Sequence, residues 1–396
     1  MSLLGVNSIR NRYNLELRPP YQVFEMSVKT PAFVLDETQL LKNLNTLASI
    51  SKQSGCKILY AMKALPSAKV LEIAKPFVDG FAVSSLFEAT LAREILADEG
   101  EVHLTTPALI AEELYELTML CSHINFNSLS QHNRYAAAVE NETSVGLRVN
   151  PKLSFVNDDR FNPCRKYSKL GVDIDALWHS NQIEQVSGLH FHTVFSATDF
   201  KPLIQTIEKL RSYFGQSLKK LKWINFGGGY LFHSIQDHQP FIDLVIDLRR
   251  ELGVECYIEI GNGIVGNAAQ IAASVIDVFE SDGKTIAILD TSINHNPEVF
   301  EYQRSPTVLQ HHENGRFNII LAGGTCLAGD VFGEYRFQHP LQIGDKITFE
   351  NVGAYTLIKA NRFNGHNFPS IYVQRTNGEL ELVKNYNYQD YQQQWT

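Results

Sequence analysis

The stretch Lys57–Pro66, with the sequence KILYAMKALP, determines how we interpret the rest of the chain. Its short apolar run, preceded by Lys57 and closed by Pro66, predicts one buried strand. Lys63 stands at the carboxyl end of this strand. A lysine at that place either extends into solvent or is held inside the protein, where burial lowers its pKa and makes the amine a nucleophile.

Strand-like runs of the same kind recur along the chain, and segments with helical periodicity separate most of them. The predicted strands lie near residues 57–62, 80–84, 101–105, 122–126, 144–149, 187–192, 222–226 and 255–260. The clearest helical segments are Leu86 to Leu96, Ile110 to Leu120, Leu203 to Phe214 and Phe241 to Leu252. This alternation predicts an α/β fold, a (β/α)₈ TIM-type barrel, with a doubly wound open sheet as the alternative.

Polar residues cluster at the carboxyl ends of the predicted strands, where a barrel of this type carries its chemistry. These strand-end residues are Lys63, Ser84, Thr105, Asn127, Arg148, His190, His192, Gly227 and Glu259. We therefore expect one functional site at this end of the barrel.

The pattern of predicted secondary structure changes after residue 266. Short β-rich runs such as Thr285–Leu289 and Lys346–Phe349 alternate with turn signals such as Thr376-Asn377-Gly378. We therefore predict a barrel over residues 31–266 and a β-rich C-terminal domain over residues 267–396. Residues 1–30 are predicted to be an N-terminal extension that joins the β-rich domain.

Length, composition and charge restrict the class of protein. With 396 residues and 44% hydrophobic content the chain is long enough for two globular domains. A net charge of −8 argues against nucleic-acid binding, and no apolar run approaches the length of a membrane span. The five cysteines show no paired spacing, which favours reduced thiols and a cytoplasmic location.

Two glycine-rich segments could approach an anionic group. Gly227-Gly228-Gly229 follows a predicted strand, at the place where barrels of this type commonly bind phosphate, although a flexible turn is equally compatible. The segment Gly261–Gly266 matches the dinucleotide pattern G-x-G-x-x-G. It closes the last barrel unit rather than opening a nucleotide-binding half, so a contribution to the same phosphate site is the better interpretation.

His190, His192 and Glu259 restrict the chemistry further. The two histidines are two residues apart on a strand and point to one face, which suits a metal pair, a buried core histidine or a ring stacked on a planar cofactor. Glu259 at a barrel mouth needs a cationic partner or solvent. A lysine, an anion-binding glycine loop, a carboxylate and a histidine together describe a site for pyridoxal 5'-phosphate rather than for a metal.

With this set of residues the chain resembles a known family, the alanine-racemase-type barrel decarboxylases. These enzymes use pyridoxal phosphate and include ornithine and diaminopimelate decarboxylases. The resemblance covers residues 32–373 approximately. The segments that carry it are Tyr60–Lys63, Asn162-Pro163-Cys164, Ser168–Gly171, Gly188–His192, Gly227–Gly229, Gly324–Asp330, Tyr355-Thr356 and Phe363-Asn364-Gly365. The Cys-Leu-Ala-Gly-Asp run at Cys326–Asp330 and the late Phe-Asn-Gly favour the branch that decarboxylates carboxylated polyamines, carboxynorspermidine and carboxyspermidine.

The resemblance implies a role for each matching residue. Lys63 would carry the cofactor, His192 would stack on its ring and Glu259 would pair with the ring nitrogen. Cys326 would be the proton donor, supplied across the interface of a homodimer with shared active sites. The residues implied in cofactor binding are Lys63, His192, Gly227, Gly228, Gly229, Glu259, Gly261, Asn262 and Tyr355.

One departure from the family pattern concerns the eighth strand. The family usually has Glu-Pro-Gly followed by a charged residue, whereas this chain has Glu259-Ile260-Gly261-Asn262. The role of Glu259 toward the cofactor survives this change, but the usual determinants of substrate specificity are altered.

A carboxylated polyamine carries several cationic nitrogens, and each needs an acceptor. We expect Asp290 to be the first such acceptor, followed by Glu298 and Glu301, with Glu259 and Arg165 completing the predicted substrate contacts. Diaminopimelate, ornithine and a citrate-derived siderophore precursor remain alternative substrates. The last would need a cluster of arginines, for which Arg148 and Arg165 are available. A non-enzymatic protein that binds pyridoxal phosphate is the alternative of a different class.

Overall fold

The computed structural model describes residues 28–139 and 142–396, which form two units. One unit contains Thr38–Ala268 and Asn351–Ile358, and the other contains residues 28–37 together with Ala269–Glu350 and Lys359–Thr396. We describe them as the barrel unit and the sheet unit.

The barrel unit is a closed ring of eight parallel strands. Lys57–Ala61 pairs with Gly80–Val83 on one side and with Glu255–Ile260 on the other, and the ring closes between His123–Phe126 and Ser144–Asn150. The remaining barrel strands are Glu101–Thr105, Gly188–His190 and Trp223–Asn225. This closure confirms the predicted (β/α)₈ barrel and excludes the doubly wound open sheet. A two-residue strand, Val172–Asp173, pairs outside the ring with the end of Ser144–Asn150.

Helices connect the barrel strands, and local sequence signals set their ends. For example, Leu86–Leu96 begins after Ser85, whose hydroxyl accepts a hydrogen bond from the Glu88 amide, while the Glu88 carboxylate accepts one from the amide of Ser84. Among the described residues from 28 to 268, the α-helices are Glu37–Ser54, Ala68–Ala74, Leu86–Leu96, Leu114–Leu120, Leu129–Tyr135, Ile174–Ser180, Lys201–Phe214, Gln239–Leu252 and Asn262–Val265.

The amino-terminal end of the barrel interior is filled by large side chains. Trp223 packs with Leu59, Ala82 and Tyr257 in one buried cluster, and its indole N–H donates to the hydroxyl of Ser144 at 2.8 Å. Because side chains fill the amino-terminal end of the barrel interior, the open space of the barrel lies at the carboxyl ends of the strands.

The sheet unit is built around one long strand, Ala269–Ser281. That strand pairs antiparallel with Ala32–Asp36, Lys284–Leu289 and Lys346–Glu350. The other strands of this mixed sheet are Thr307–Val308, Phe317–Ala322, Val331–Phe337, Ser370–Gln374 and Leu380–Lys384. Two short helices, Glu298–Tyr302 and Tyr388–Gln392, complete the unit.

The predicted domain boundaries differ from this division chiefly at two segments. Asn351–Ile358, predicted to lie in the β-rich domain, belongs to the barrel unit, and Ala32–Asp36 belongs to the sheet unit. The predicted barrel range, residues 31–266, included Ala32–Asp36. In the structure this strand pairs with Ala269–Ser281 and Ser370–Gln374 in the sheet unit. The predicted role of residues 1–30 concerns mainly residues 1–27, which lie outside the described residues.

Among the described residues, no helix is both long and apolar enough to cross a membrane. The five cysteines all lie in the described part of the chain and are free thiols, with Cys326 exposed and the others buried.

Candidate active site

Two adjoining cavities open at the carboxyl ends of the barrel strands. The larger has a volume of about 380 Å³ and the smaller about 70 Å³. Ala61, Lys63, His192 and Glu259 line both cavities, so these residues stand where the two spaces meet. The predicted strand-end site is therefore one physical space with two compartments.

Lys63 extends into this space from the short 3₁₀ turn Met62–Ala64, which follows the first barrel strand. Its side chain is accessible from the cavity, yet protein surrounds the amine closely enough that desolvation lowers its pKa. The carboxylate of Glu259 offsets part of that effect. The amine is thus more readily deprotonated, and more nucleophilic, than an ordinary surface lysine.

Glu259 is a carboxylate with only 5% of its surface exposed. Its Oε1 accepts a hydrogen bond from Nδ2 of Asn225 at 3.0 Å, and Nε2 of His190 lies 3.4 Å from the same oxygen without forming a hydrogen bond. Burial alone would raise the pKa of this carboxyl group. Nearby His190 and Lys63 outweigh the burial and hold the pKa below its usual range, so Glu259 is ionised at neutral pH.

His192 is oriented by the glycine loop. The amide of Gly228 donates to Nδ1 of His192 at 3.0 Å, so Nδ1 is an acceptor and the proton of the neutral ring lies on Nε2. Desolvation, together with the charges of Lys63 and Arg148, lowers the pKa of His192 well below its usual value. A neutral, fixed imidazole at the junction of the two cavities can lie against a planar ring.

Close packing requires all three glycines of the loop. A Cβ on Gly227 would lie 2.3 Å from the carbonyl oxygen of Phe191, and one on Gly228 would lie 2.1 Å from that of Glu259. At Gly229, with φ of +93°, it would lie 2.4 Å from the carbonyl oxygen of Val194. The triplet is therefore a tightly packed loop rather than a flexible turn, and its backbone borders the smaller cavity.

The smaller cavity has the features of an anion site. Its wall includes Ser196, Gly261, Asn262 and Tyr355 beside the glycine loop. Tyr355 has φ of +59°, and its amide donates to the carbonyl oxygen of Ala64 at 2.9 Å, which ties it to the turn that carries Lys63. Glycine backbone and hydroxyl groups around a small space suit a phosphate group.

The larger cavity is lined by four cationic side chains besides Lys63. They are Arg148, Arg160, Arg165 and Lys169. Arg160 pairs with Asp158 in its own loop, whereas the side chain of Arg148, a residue only 9% exposed, makes no hydrogen bond or ion pair within the described residues. Desolvation lowers the pKa of the Arg148 guanidinium, and Glu259 opposes that shift. Sequence reasoning had found Arg148 and Arg165 but not Arg160 or Lys169.

The structure brings together most of the predicted cofactor residues. Lys63, His192, Gly228, Gly229, Glu259, Gly261, Asn262 and Tyr355 line the smaller cavity, and Gly227 starts the loop that borders it. Sequence reasoning missed Ser196 and the contact of Asn225 with Glu259. Asn225 lies near the end of the predicted strand 222–226, two residues before Gly227, and that position was the available signal.

The predicted acidic substrate residues belong to the sheet unit, where each already has a partner. Oδ1 of Asp290 accepts a hydrogen bond from the amide of Ser274 at 2.8 Å. Glu298 pairs with Arg304 at 3.0 Å, and Glu301 pairs with Lys359 at 2.5 Å. Their substrate roles stay predictions. The carboxylate of Asp290 differs from those of Glu298 and Glu301 because its partner is a backbone amide and not a cationic side chain.

Cys326 also belongs to the sheet unit, on an exposed loop that hydrogen bonds hold in place. Its amide donates to Oδ1 of Asn364 at 2.8 Å. Asp330, buried at the end of the same loop, accepts hydrogen bonds from the amide and hydroxyl of Thr325 and from the amide of Ile293. The thiol is therefore presented at the surface by an ordered loop.

Comparison with known proteins agrees with this geometry. The family model described as pyridoxal-dependent decarboxylase, C-terminal sheet domain, matches residues 32–353. The chain belongs to the pyridoxal-dependent decarboxylase family. This membership assigns an enzymatic activity and removes the alternative of a non-enzymatic cofactor-binding protein.

Individual relatives of this decarboxylase are similar over nearly their whole length. A carboxynorspermidine/carboxyspermidine decarboxylase of Campylobacter jejuni is 33% identical over 93% of this chain and 99% of its own. A carboxyaminopropylagmatine decarboxylase of Synechocystis is also 33% identical, over 92% of this chain and 95% of its own. The crystal structure of carboxynorspermidine decarboxylase from C. jejuni, complexed with norspermidine, superimposes with a TM-score of 0.85 over 93% of this chain and all of that one.

A second polar cluster lies at the opposite, amino-terminal end of the decarboxylase barrel. Oε2 of Glu101 lies 3.1 Å from Nε2 of His103 and 3.5 Å from Nδ1 of His123. These separations between candidate ligand atoms are short enough for all three residues to bind one metal ion. The two rings are stacked with centroids 3.8 Å apart, however, so their in-plane lone pairs cannot converge on one ion without rotation. The ammonium of Lys57, 2.7 Å from Oε1 of Glu101, already neutralises that carboxylate. We interpret the cluster as a structural polar network.

This network makes the stability of the protein depend on pH. Desolvation, and to a smaller extent the neighbouring His103, lower the pKa of His123 to about 3 in the folded protein. Between this pKa and the ordinary value of about 6.5, His123 is protonated in the unfolded chain but neutral in the folded one. The unfolding free energy should therefore fall on acidification. Between pH 6.5 and 5, we expect urea denaturation to show a loss about 1–2 kcal/mol larger for the wild type than for His123→Gln. His179→Gln, which alters an exposed histidine, is the matched control, and equal losses for wild type and His123→Gln would contradict the assignment.

Proposed function

We propose that this decarboxylase removes the carboxylate of carboxynorspermidine or carboxyspermidine, producing norspermidine or spermidine for polyamine biosynthesis. The observation that carries the proposal is the combination of the lysine, carboxylate and glycine-loop site with full-length similarity to an enzyme of that name. The norspermidine complex of the similar C. jejuni structure supports a polyamine ligand for this chain as well.

We propose pyridoxal 5'-phosphate as the cofactor, with its phosphate in the smaller cavity and its ring at the junction of the two. The backbone of Gly227–Gly229 with Tyr355 would bind the phosphate, and His192 would lie on the ring. The ionised Glu259 would meet the ring nitrogen. The steric requirement for glycine at three successive positions and the low pKa of Glu259 both fit this group.

When bound, the cofactor supplies an electron-accepting ring, which takes up the electrons left when the bond to the departing carboxylate breaks. Glu259 favours a proton on the ring nitrogen, because a negative charge in a space of low dielectric stabilises a cation beside it. Lys63 would hold the cofactor through its amine, whose lowered pKa favours the neutral, nucleophilic form. Arg148, a buried cation without a protein partner in the described structure, would meet an anionic group in the larger cavity.

The return of a proton to the reacting carbon needs a further group, for which we propose Cys326 of a second subunit. Cys326 is exposed on an ordered loop of the sheet unit, which suits insertion into the cavity of another molecule. The proposed assembly is a homodimer with shared active sites, in agreement with the family resemblance of the sequence.

A second candidate substrate is carboxyaminopropylagmatine, because the Synechocystis relative named as its decarboxylase has the same 33% identity as the C. jejuni relative. That compound ends in a guanidinium group, whereas the carboxylated triamines end in an ammonium group.

We propose Asp290 as the acceptor for a cationic nitrogen of the substrate, since Glu298 and Glu301 are already paired with Arg304 and Lys359.

The cofactor proposal predicts a yellow protein in which Lys63 carries pyridoxal phosphate. Borohydride should bleach the colour and attach the cofactor irreversibly to the peptide that contains Lys63, as detected by mass spectrometry. Lys63→Ala should lose this attachment, while Lys57→Ala, which changes a lysine at the opposite end of the same strand, should keep it. A colourless protein, or label on another lysine, would exclude the assignment.

The shared-site proposal predicts complementation between inactive subunits. In a two-fold dimer, mixing Lys63→Ala with Cys326→Ala creates hybrids with one intact site, so exchange at equal amounts should restore about a quarter of wild-type activity. Mixing Lys63→Ala with Glu259→Ala should restore none, because both changes affect the same cavity. No recovery in the first mixture, with exchange demonstrated by mass spectrometry, would contradict the dimeric site.

The substrate proposal predicts that carboxynorspermidine and carboxyspermidine are decarboxylated faster than diaminopimelate, ornithine and a citrate-derived siderophore precursor. Carboxyaminopropylagmatine belongs in the same assay as the second candidate. Asp290→Asn retains an oxygen for the amide of Ser274 but removes the charge, so KM for the polyamine substrate should rise about 10-fold, equivalent to about 1.4 kcal/mol.

Glu334→Gln is the control for this substitution, because that exposed carboxylate of the sheet unit pairs with Lys284, and KM should change much less. A preference for diaminopimelate would overturn the proposed substrate. Wild-type kinetics of Asp290→Asn would remove Asp290 from the binding site.

A further inference from the structure

Asn225 connects two parts of the cavity wall that come from different strands. It is the last residue of Trp223–Asn225, and its side chain has no exposed surface. Nδ2 donates to Oε1 of Glu259 at 3.0 Å, and Oδ1 accepts from the amide of Gly227 at 2.9 Å. One buried amide thus contacts both the carboxylate and the first glycine of the loop.

The orientation of this amide is determined by chemistry. If the group were flipped, its oxygen would face the Glu259 carboxylate and its NH₂ would face the N–H of Gly227, giving two repulsive contacts in place of two hydrogen bonds. Nδ1 of His103, 3.5 Å from Nδ2, adds a further acceptor on the same side. Among side chains of this size, asparagine can donate to one neighbour and accept from the other without binding a proton, which an aspartate would have to do.

These contacts determine how Glu259 faces the cavity. Oε1 is occupied by Asn225 and approached by His190, whereas Oε2 accepts no hydrogen bond from any described residue. The carboxylate therefore presents Oε2 to a ligand. The second contact acts on Gly227, whose φ of +64° begins the bend of the glycine loop, and whose carbonyl accepts from the amide of Glu259 at 2.7 Å.

We propose that Asn225 is a positioning residue, which holds Glu259 and the glycine loop in one fixed relation. The ring-nitrogen contact and the phosphate contact of the cofactor are then spaced for one molecule before it binds. This inference rests on the proposed pyridoxal phosphate site, and it predicts that cofactor affinity depends on a side chain that touches no part of the cofactor.

Two substitutions separate the two contacts. Asn225→Asp keeps an oxygen for the amide of Gly227 but replaces the donor to Glu259 with a second carboxyl group. Two carboxyl groups at this distance share a proton, which raises the pKa of one of them. Asn225→Leu has a similar volume and removes both contacts.

Apoenzyme of each variant would be titrated with pyridoxal phosphate and with pyridoxal, which lacks the phosphate, and binding would be followed by the absorbance of the cofactor. We expect Kd for pyridoxal phosphate to rise at least ~10-fold in Asn225→Asp, and further in Asn225→Leu. In Asn225→Asp the absorption band of the bound cofactor should change between pH 6 and 8.5, as the carboxyl pair titrates, while the wild-type band stays constant.

A double substitution tests the coupling directly. In Glu259→Gln the new amide can donate to an aspartate at position 225, so Asn225→Asp combined with Glu259→Gln should bind the cofactor no more weakly than Glu259→Gln alone. Asn125→Asp is the matched control. Asn125 is a buried amide of the barrel interior whose side-chain donor bonds to Thr105 and Leu104, and this variant should bind pyridoxal phosphate like the wild type.

The possible results distinguish the inference from the function on which it rests. If the wild type does not bind pyridoxal phosphate, the proposed cofactor site is wrong. If the wild type binds it and both Asn225 variants bind it equally well with an unchanged band, only the positioning role is wrong. A loss of affinity in Asn125→Asp as large as in Asn225→Asp would also overturn the positioning role, because the effect would then be a general one of buried amides.

Discussion

The site depends on a buried negative charge. Glu259 lies inside the barrel with 5% of its surface exposed, and an ionised carboxylate at such a place is costly unless hydrogen bonds and positive charges compensate for it. The compensation comes from different strands: Asn225 donates one hydrogen bond, and Lys63 contributes positive potential. Oε2 accepts no hydrogen bond from any described residue, so in the proposed cofactor site a cationic ring nitrogen would add to this compensation.

The glycine loop imposes a steric constraint on the same part of the barrel. Gly227 and Gly228 pack against the carbonyl oxygens of Phe191 and Glu259, so close that neither position has room for a Cβ atom. This close packing also brings the amide of Gly228 to the ring of His192. The loop that borders the smaller cavity therefore orients the histidine as well, and a side chain added at any of the three glycines would displace the backbone beside it.

The fold was predictable because each barrel strand and helix is encoded locally. Apolar runs, alternating with segments of helical periodicity, identified all eight strands, and the fold class followed from that alternation. Pairing between distant segments was not encoded in this way. Ala32–Asp36 has the pattern of a barrel strand, but it lies between two strands of the sheet unit because its partners, Ala269–Ser281 and Ser370–Gln374, are far away in sequence.

The same distinction applies to the site. The positions of Lys63, Glu259 and the glycine loop followed from strand ends. The contact between Asn225 and Glu259 links residues 34 positions apart and is set by the register of neighbouring strands, which no local pattern reveals. The acidic residues Glu298 and Glu301 looked available in the sequence for a similar reason. Their partners, Arg304 and Lys359, become visible only when the loop is folded.

The loop that contains Cys326 shows how geometry restricts the choice of a proton donor. It contains two protic side chains of chemical interest, Cys326 and Asp330. Both oxygens of Asp330 act as acceptors, for the amide of Ile293 and for the amide and hydroxyl of Thr325, and the residue is 3% exposed. Such a carboxylate is an anchor for the loop, since releasing it for proton transfer would break three hydrogen bonds. Cys326 uses only its backbone amide, toward Asn364, and keeps its thiol exposed. If this loop delivers a proton to a substrate, the thiol is the group that can do so without unfolding the loop.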